Sequence, residues 1–170
     1  MYKPEMIYAK LDEKVITRFI TTRHSIRSFS SDRVSDNVME NVLKLSFFAP
    51  SACNRQPIKV YWTSNQEKVR EIDGCIPRNK GFGNQILNYE ITGVDRNMFG
   101  KNEILEWYVN GEIYISYFVM ALHTYKLGSC IFQMPIIYGK LSRIYHVEGI
   151  PDNFAIICAI GFGYPKEEVK

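Results

Sequence analysis

The sequence predicts an α+β fold, because patterns typical of helices and strands alternate irregularly along the chain. The longest helical pattern covers residues 102–127, where apolar side chains recur with the 3.6-residue period of a helix. A near-continuous apolar run, FAIICAIGFG at 154–163, is typical of a strand buried on both faces. The 170 residues fit a single domain, 1–170, that is long enough to bury a hydrophobic core.

Composition and charge argue against several classes of protein. The net charge of +3 comes from scattered basic residues, whereas a nucleic-acid surface needs clustered ones, so no nucleic-acid partner is predicted. His123 and Lys126 interrupt the longest apolar stretches, so no membrane span is predicted. The four cysteines form no CxxC pair and the histidines lack zinc spacing, which predicts no metal site. With no signal-peptide pattern, we expect reduced thiols and a cytoplasmic location.

Two helices are predicted in the first third of the chain. Residues 10–21 have helical apolar spacing, and Ser35 is the expected N-cap of a second helix that runs through Phe47 and is stopped by Pro50. The side chains that carry these two patterns are Leu11, Val15, Ile16, Phe19 and Ile20 in the first helix, and Val38, Val42, Leu43 and Leu45 in the second.

The remaining elements follow in order. Strands are predicted at 58–64 and 85–95 from their β-branched and aromatic residues, with a short helix between them at 66–73. The helix at 102–127 is apolar on more than one side, so we expect the sheet and a second subunit to bury it, with Gly128 as its C-cap. The segment SCIFQMP follows, and then a short helix from Tyr138 to Tyr145.

The segment TTRHSIRSF, at 21–29, has the residues of a phosphate site. It lies between a helix and a polar turn and is predicted to be extended, so Arg23, Ser25 and Arg27 are expected to share one face. Two guanidinium groups beside a hydroxyl suit a phosphate and a neighbouring electron-rich oxygen. The alternative interpretation is a solvated basic edge strand.

A second unusual segment is APSACNRQP, at 49–57. Pro50 and Pro57 bracket small or polar residues and one arginine, none of which fills a core. In this order and at this spacing, the two segments resemble the nitroreductase family of FMN-dependent NAD(P)H oxidoreductases. The family pattern is R-[RH]-S-[IV]-R, then a helix, then A-P-S-[SA]-x-N-x-Q-P. Its positions are filled here by Arg23, His24, Ser25, Ile26, Arg27, Ala49, Pro50, Ser51, Ala52, Asn54, Gln56 and Pro57.

The resemblance extends from about residue 15 to 166 and is weakest over 65–100; the late stretch ending in GFGYP is similar to the family's last strand. It implies a mostly antiparallel central sheet flanked by helices, a long central helix at a homodimer interface, and FMN as the cofactor. It further implies that Arg23 and Ser25, beside His24, contact the phosphate and ribityl oxygens. Arg27 would lie near flavin N1 and O2, where positive charge tunes the redox potential.

The proline-bounded loop is expected, from the same resemblance, to come from the second subunit and to lie along the isoalloxazine ring. Next to Pro50, the small residues Ser51 and Ala52 permit close approach. Asn54 would bond a polar ring edge, and Gln56 would orient the loop. The loop lacks bulk because an extended aromatic ligand takes the space.

Two places depart from the family pattern. The segment around Phe132 and Gln133 is expected to present a backbone N–H toward flavin N5, but Met134 stands where a glycine often follows. Relatives usually continue well beyond the GFGYP stretch and supply a late Lys or Arg to the phosphate, whereas this chain ends at Lys170. Lys166 or Lys170 is a candidate substitute, and losing one charge-assisted contact costs ~1.5–3 kcal/mol of affinity.

Other motifs carry alternative interpretations. GFGNQ and GFGYP lack the third glycine of a dinucleotide fingerprint. Cys53 with His24 is an alternative nucleophile pair, but no orienting group accompanies it. Trp107 and Phe132 either pack in the core or line the substrate side of the flavin.

The predicted function is a homodimeric FMN-dependent oxidoreductase with a ping-pong cycle. NAD(P)H reduces the flavin and leaves, and an electron-poor acceptor such as a nitro compound or a quinone then takes the electrons. No catalytic acid or base is expected, because the cofactor supplies the chemistry. Two alternatives stay open: a flavin-binding or flavin-processing relative without general reductase turnover, and an interaction protein with an aromatic surface.

Overall fold

The computed structural model describes residues 12–76, 79, 81–133 and 140–166. Within these ranges a four-stranded antiparallel sheet is flanked by five α-helices, which confirms the α+β prediction. The helices are α1 (Glu13–Thr22), α2 (Asp36–Ser46), α3 (Gln66–Cys75), α4 (Ile104–Thr124) and α5 (Lys140–Glu148). The strands are β1 (Ile58–Thr63), β2 (Asn88–Asp95), β3 (Gly128–Gln133) and β4 (Phe154–Gly163).

The sheet has the strand order β1-β2-β4-β3 and separates two hydrophobic clusters. One cluster lies under α2 and α4, and the other lies under α3 and α5. The strand β4 is central and is buried on both faces from residue 157 onward, as its unbroken apolar run predicts. Because β3 is at the edge of the sheet, its outer side is left to the segment that carries the first motif.

Local sequence signals account for the ends of several helices. The Ser35 side chain accepts a hydrogen bond from the Val38 N–H, so the predicted N-cap of α2 is confirmed. Leu45, predicted to face inward on α2, is exposed, and Met39 is buried instead. The helix predicted around Tyr138 to Tyr145 is α5, Lys140–Glu148; Tyr138 itself lies outside the described residues.

The long helix α4 ends earlier than expected. The sequence pattern placed the C-cap at Gly128, but the helix stops at Thr124 and Lys126 takes the left-handed conformation, with φ 60°. Gly128 instead begins β3, where a Cβ would come within 2.6 Å of Ile26 Cγ1. Its lack of a side chain therefore allows the first motif to pack on the sheet edge.

Two helices present apolar residues to solvent. No residue of α1 is buried, and its Val15 and Ile20 are more than half exposed. On α4, Tyr114 and Phe118 face the core, whereas Leu105 is 76% exposed. The apolar spacing predicted both helices correctly, but the described part of the chain covers only part of their apolar surface.

None of the described helices is long and apolar enough to cross a bilayer. All four cysteines are free thiols, and three of them are buried.

Candidate functional site

The first motif leaves α1 and runs along the free edge of the sheet. Arg23 is the C-cap of α1 and has extended backbone angles. Ser25 then pairs with Ser129 in a parallel bridge, and the Ile26 N–H donates to the Ser129 carbonyl at 2.9 Å. The prediction that this segment is extended is confirmed.

The end of the motif is attached to the chain that follows β4. Phe29 pairs with Pro165, and the Ser30 N–H donates to the Tyr164 carbonyl at 2.8 Å. The Lys166 N–H donates to the Ser28 carbonyl at 3.1 Å. Backbone hydrogen bonds at both ends therefore fix the position of the motif relative to the sheet.

Arg23 and His24 border a cavity of about 620 Å³ between α1, the C-terminal end of α4 and the start of β3. We call it the basic cavity, because the described residues that line it include five basic ones and no aspartate or glutamate. Those five residues are Arg18, Arg23, His24, His123 and Lys126. Thr21, Thr22 and Ser129 add hydroxyl groups to the lining.

The histidines connect α1 to α4 at this cavity. The His123 ring packs against Phe19, with centroids 4.9 Å apart, and its Nε2 lies 3.2 Å from Thr22 Oγ1. His24 Nδ1 lies 2.9 Å from the Thr22 carbonyl oxygen. Burial lowers the pKa of His123; the positive charges of Arg23 and His24 act in the same direction, and a hydrogen bond to the Phe19 backbone opposes them.

The other two members of the expected triad lie elsewhere. Neither Ser25 nor Arg27 lines the basic cavity, and that the two share a face with Arg23 stays a prediction. Arg27 lies beside Cys130 on β3, where burial raises the pKa of the thiol and the Arg27 charge opposes the rise. The charge of Arg27 is thus at the sheet edge, apart from the cations of the basic cavity.

The proline-bounded loop has an uncommon backbone. Cys53, Asn54 and Gln56 have left-handed φ values of 51°, 54° and 51°, which residues with a Cβ rarely adopt. The Ser51 hydroxyl accepts a hydrogen bond from the Gln56 N–H at 2.9 Å and so closes the loop. Such conformations persist only where surrounding contacts hold them, and they cluster at ligand sites.

The start of α4 holds this loop. The Ala52 N–H donates to the Asn110 side-chain oxygen at 2.9 Å, and the Asn110 amide donates back to the Glu106 carbonyl at 2.7 Å. Arg55 pairs with Glu103 at 3.1 Å. Asn110 is buried, so its side-chain amide connects α4 to the loop through hydrogen bonds that are shielded from water.

Below the loop lies a second cavity, of about 330 Å³, which we call the loop cavity. Its lining includes Pro50, Ser51 and Gln56 of the loop, and Asn110 and Tyr114 of α4. The loop is therefore not packed shut against its own chain. Among the described residues, none borders both cavities, so a single chain does not bring the two motifs to the same space.

Phe132 and Gln133 end strand β3. The Phe132 side chain is buried and stacks on Phe82 with centroids 5.8 Å apart, so of this residue only the backbone is available to a ligand. Trp107 lies on α4, is half-buried, and packs against the hydrophobic cluster beneath that helix. Met134 lies outside the described residues.

Sequence reasoning missed four residues that shape these cavities: Arg18, Asn110, His123 and Lys126. Asn110 could have been found, because a lone amide on the inner side of an apolar helix needs a partner. Arg18 precedes Arg23 by five residues on α1, whereas His123 and Lys126 approach the first motif only through packing of α1 on α4, which residue spacing does not reveal.

Comparison with known proteins shows which families and structures the chain resembles. Residues 20–92, which contain both motifs, match the model of the Nitroreductase family. Over 154 residues the chain is 25% identical to an Archaeoglobus fulgidus protein provisionally named NADH dehydrogenase/NAD(P)H nitroreductase, covering 89% of this chain and 86% of that protein.

Solved structures share the fold. An FMN-dependent nitroreductase from Clostridium difficile superposes with a TM-score of 0.79 at 24% identity, covering 91% of this chain and 90% of the other. A Desulfovibrio desulfuricans protein, provisionally named a nitroreductase and solved in complex with FMN, gives a TM-score of 0.79 at 16% identity, covering 95% and 91%. The chain therefore has the nitroreductase fold.

Proposed function

We propose, from the match to the Nitroreductase family model and the shared fold, that the chain is a member of that family and an FMN-dependent oxidoreductase. In this proposal NAD(P)H delivers electrons and leaves, and an electron-poor acceptor, such as a nitro compound or a quinone, then receives them. The observation that carries the proposal is the position of Arg23 and His24 on a cavity whose described lining is basic and holds no carboxylate. A phosphate-bearing cofactor suits such a lining.

The residues present fit FMN at two separate points. The basic cavity suits the phosphate because Arg23 offers a planar donor group that stays charged. The loop offers small residues, Ser51 and Ala52, above a cavity that remains open. Arg27 adds positive charge at the sheet edge beside β3, and Ser25 lies in the same extended segment.

FMN, when bound, supplies the acceptance and release of electrons. The protein's share is to bind, to orient and to exclude water. In the proposal Arg23, His24 and Ser25 bind the phosphate and ribityl oxygens, and Arg27 favours negative charge on the pyrimidine side of the ring. The backbone of Phe132 and Gln133 lines the ring edge, with no side-chain acid or base in the hydride step.

The site requires two copies of the chain in this proposal. The loop residues Pro50, Ser51, Ala52, Asn54 and Gln56 would serve the flavin held by the other subunit. Two observations support a homodimer: a single protomer keeps the two motifs on separate cavities, and it leaves large apolar side chains exposed. The exposed side chains on α4 and at the end of α2 include Phe47, Phe48, Leu105, Tyr108 and Val109. Apolar surfaces of this kind are typical of obligate interfaces.

The free thiols at all four cysteines agree with a reducing compartment, so we place the enzyme in the cytoplasm.

An absorbance spectrum of the purified protein tests the proposal. We expect a flavin spectrum after addition of FMN, bleaching by NADH or NADPH under anaerobic conditions, and recovery of colour with a quinone or a nitroaromatic compound. Flavin that binds but is reduced by neither nucleotide would favour a flavin-binding protein without turnover. Protein that takes up no FMN contradicts the proposal.

A further inference from the structure

We propose that Lys126 and Arg18, together with Arg23, form the anion site that holds the phosphate group of FMN in the basic cavity. The inference rests on the proposed function and deepens it. Besides Arg23 of the first motif, it assigns the phosphate contact to Arg18 in the second half of α1 and to Lys126 just after α4, which neither motif includes. The ligand chemistry is a phosphate monoester, and inorganic phosphate is a second source of the same group.

The charge balance of the cavity is the first argument. Arg18, Arg23 and Lys126 border one space, and none of them forms an ion pair within the part of the chain that the structure describes. Among the described residues, no carboxylate lines this space. Three neighbouring positive charges repel one another, and a bound dianion would remove that repulsion.

The conformation of Lys126 is the second argument. Its φ of 60° is the left-handed conformation that glycine usually provides after a helix. The helix end is closed by backbone bonds, including the Leu127 N–H to the Leu122 carbonyl at 2.9 Å, and these bonds need no lysine side chain. A glycine would satisfy the backbone better, so the side chain at this position has another use, and the cavity beside it provides one.

The environment of His123 is the third argument. Burial, with the nearby charges of Arg23 and His24, lowers the pKa of His123 in the structure without a ligand. A phosphate among these cations would oppose the effects of the Arg23 and His24 charges and so raise the pKa of His123. Binding of an anion therefore has a spectroscopic signature that does not depend on enzyme turnover.

Two substitutions separate the charge from the fold. Lys126→Gly removes the ammonium and relaxes the left-handed backbone, so the variant should be at least as resistant to urea as the unmodified protein. Arg18→Gln removes a second cation from an exposed helix position. Arg70→Gln is the matched control, because Arg70 is exposed on α3 and does not line the basic cavity.

Binding of FMN and of riboflavin, which lacks the phosphate, should be measured for each protein by fluorescence titration. We expect the unmodified protein and Arg70→Gln to prefer FMN. Lys126→Gly and Arg18→Gln should each weaken FMN binding by about tenfold or more and change riboflavin binding by less than about twofold. Inorganic phosphate should compete with FMN in the unmodified protein, and phosphate or FMN should raise the pKa of His123 in an NMR titration.

The outcomes distinguish this inference from the proposed function. If both flavins bind and the two variants keep the full preference for FMN, or lose both flavins equally, the inference is overturned while the proposed function stands. Equal affinity of the unmodified protein for FMN and riboflavin also overturns it. If neither flavin binds the unmodified protein, the proposed function fails and this inference fails with it.

Discussion

Glu90 places a carboxyl group in the core, and its ionisation should make stability depend on pH. The residue is fully buried on β2, and the Thr92 hydroxyl donates to its two carboxyl oxygens at 2.8 and 3.1 Å. Burial raises the pKa of Glu90 to about 8, and the Thr92 hydrogen bond opposes the rise. Two titratable groups interact electrostatically with it, Tyr114 from α4 and Cys158 from β4. Burial raises the pKa of both, so neither compensates a charge on Glu90.

The direction of the effect follows from the raised pKa. The folded protein keeps a proton on Glu90 that the unfolded chain releases above its ordinary pKa of 4.5. The stabilisation is therefore complete below that value and is lost as pH rises toward about 8. At 1.36 kcal/mol per pKa unit, the rise in the Glu90 pKa from 4.5 to about 8 corresponds to roughly 5 kcal/mol in the free energy of unfolding. Roughly 3 kcal/mol of this stabilisation is lost by about pH 7.

Urea unfolding of Glu90→Gln across pH tests this account. The amide stays neutral, so we expect the variant to lack the decline that unmodified protein shows between about pH 6 and 8, which is roughly 2–3 kcal/mol in the free energy of unfolding. Glu40→Gln is the matched control, because Glu40 is an exposed residue paired with Lys44 at 2.6 Å. Equal pH slopes for Glu90→Gln and unmodified protein would refute the reasoning.

Two further predictions concern the loop and the proposed interface. Asn110→Ala removes the acceptor for the Ala52 N–H, so we expect the free energy of unfolding in urea to fall by ~1–3 kcal/mol and FMN to bind more weakly. Unchanged stability and FMN affinity would show that Asn110 does not hold the loop. Replacing Leu105 and Tyr108 together with Glu should convert the dimer to monomers that bind FMN poorly, because carboxylates would have to be buried at the interface. Size-exclusion chromatography with light scattering checks this, and an intact dimer would place the interface elsewhere.

Local sequence signals were sufficient for most of the fold. The Ser35 cap, the unbroken apolar run of β4 and the 3.6-residue period of α4 each predicted their element, because each depends on near neighbours in the chain. The errors involve tertiary contacts. Leu45 was expected inside, but the turn of α2 that packs on the core presents Met39 and Val42.

The end of α4 shows that the role of a glycine cannot be assigned from the sequence alone. Gly128 was expected to cap the helix, yet close packing of Ile26 is what requires a glycine there, and Lys126 takes the left-handed position instead. A sequence marks where a glycine stands, but it does not distinguish a cap from a close approach.

The candidate site was predicted from residues that are contiguous in the chain, and their contact with a cofactor stays a prediction. Arg23 and His24, and the loop from Pro50 to Gln56, were identified from two short segments that the family match covers. The partners that the fold adds were not identified: Asn110 lies 58 residues from Ala52, and the contact of Thr22 with His123 spans 101 residues. Such pairings depend on how α1 and the loop pack on α4.

The account's central claim is that Arg23 of one subunit and the loop of the other bind the same flavin. Mixing two inactive variants tests it most directly: Arg23→Ala, which removes the phosphate contact, and Ala52→Trp, which fills the space along the ring. Each variant alone should bind no FMN. A mixed dimer, isolated with two different tags, should bind one FMN per dimer, because one of its two sites then combines an intact Arg23 with an intact loop. A mixed dimer that binds no FMN would mean that each site is built within a single chain, and the account would be wrong.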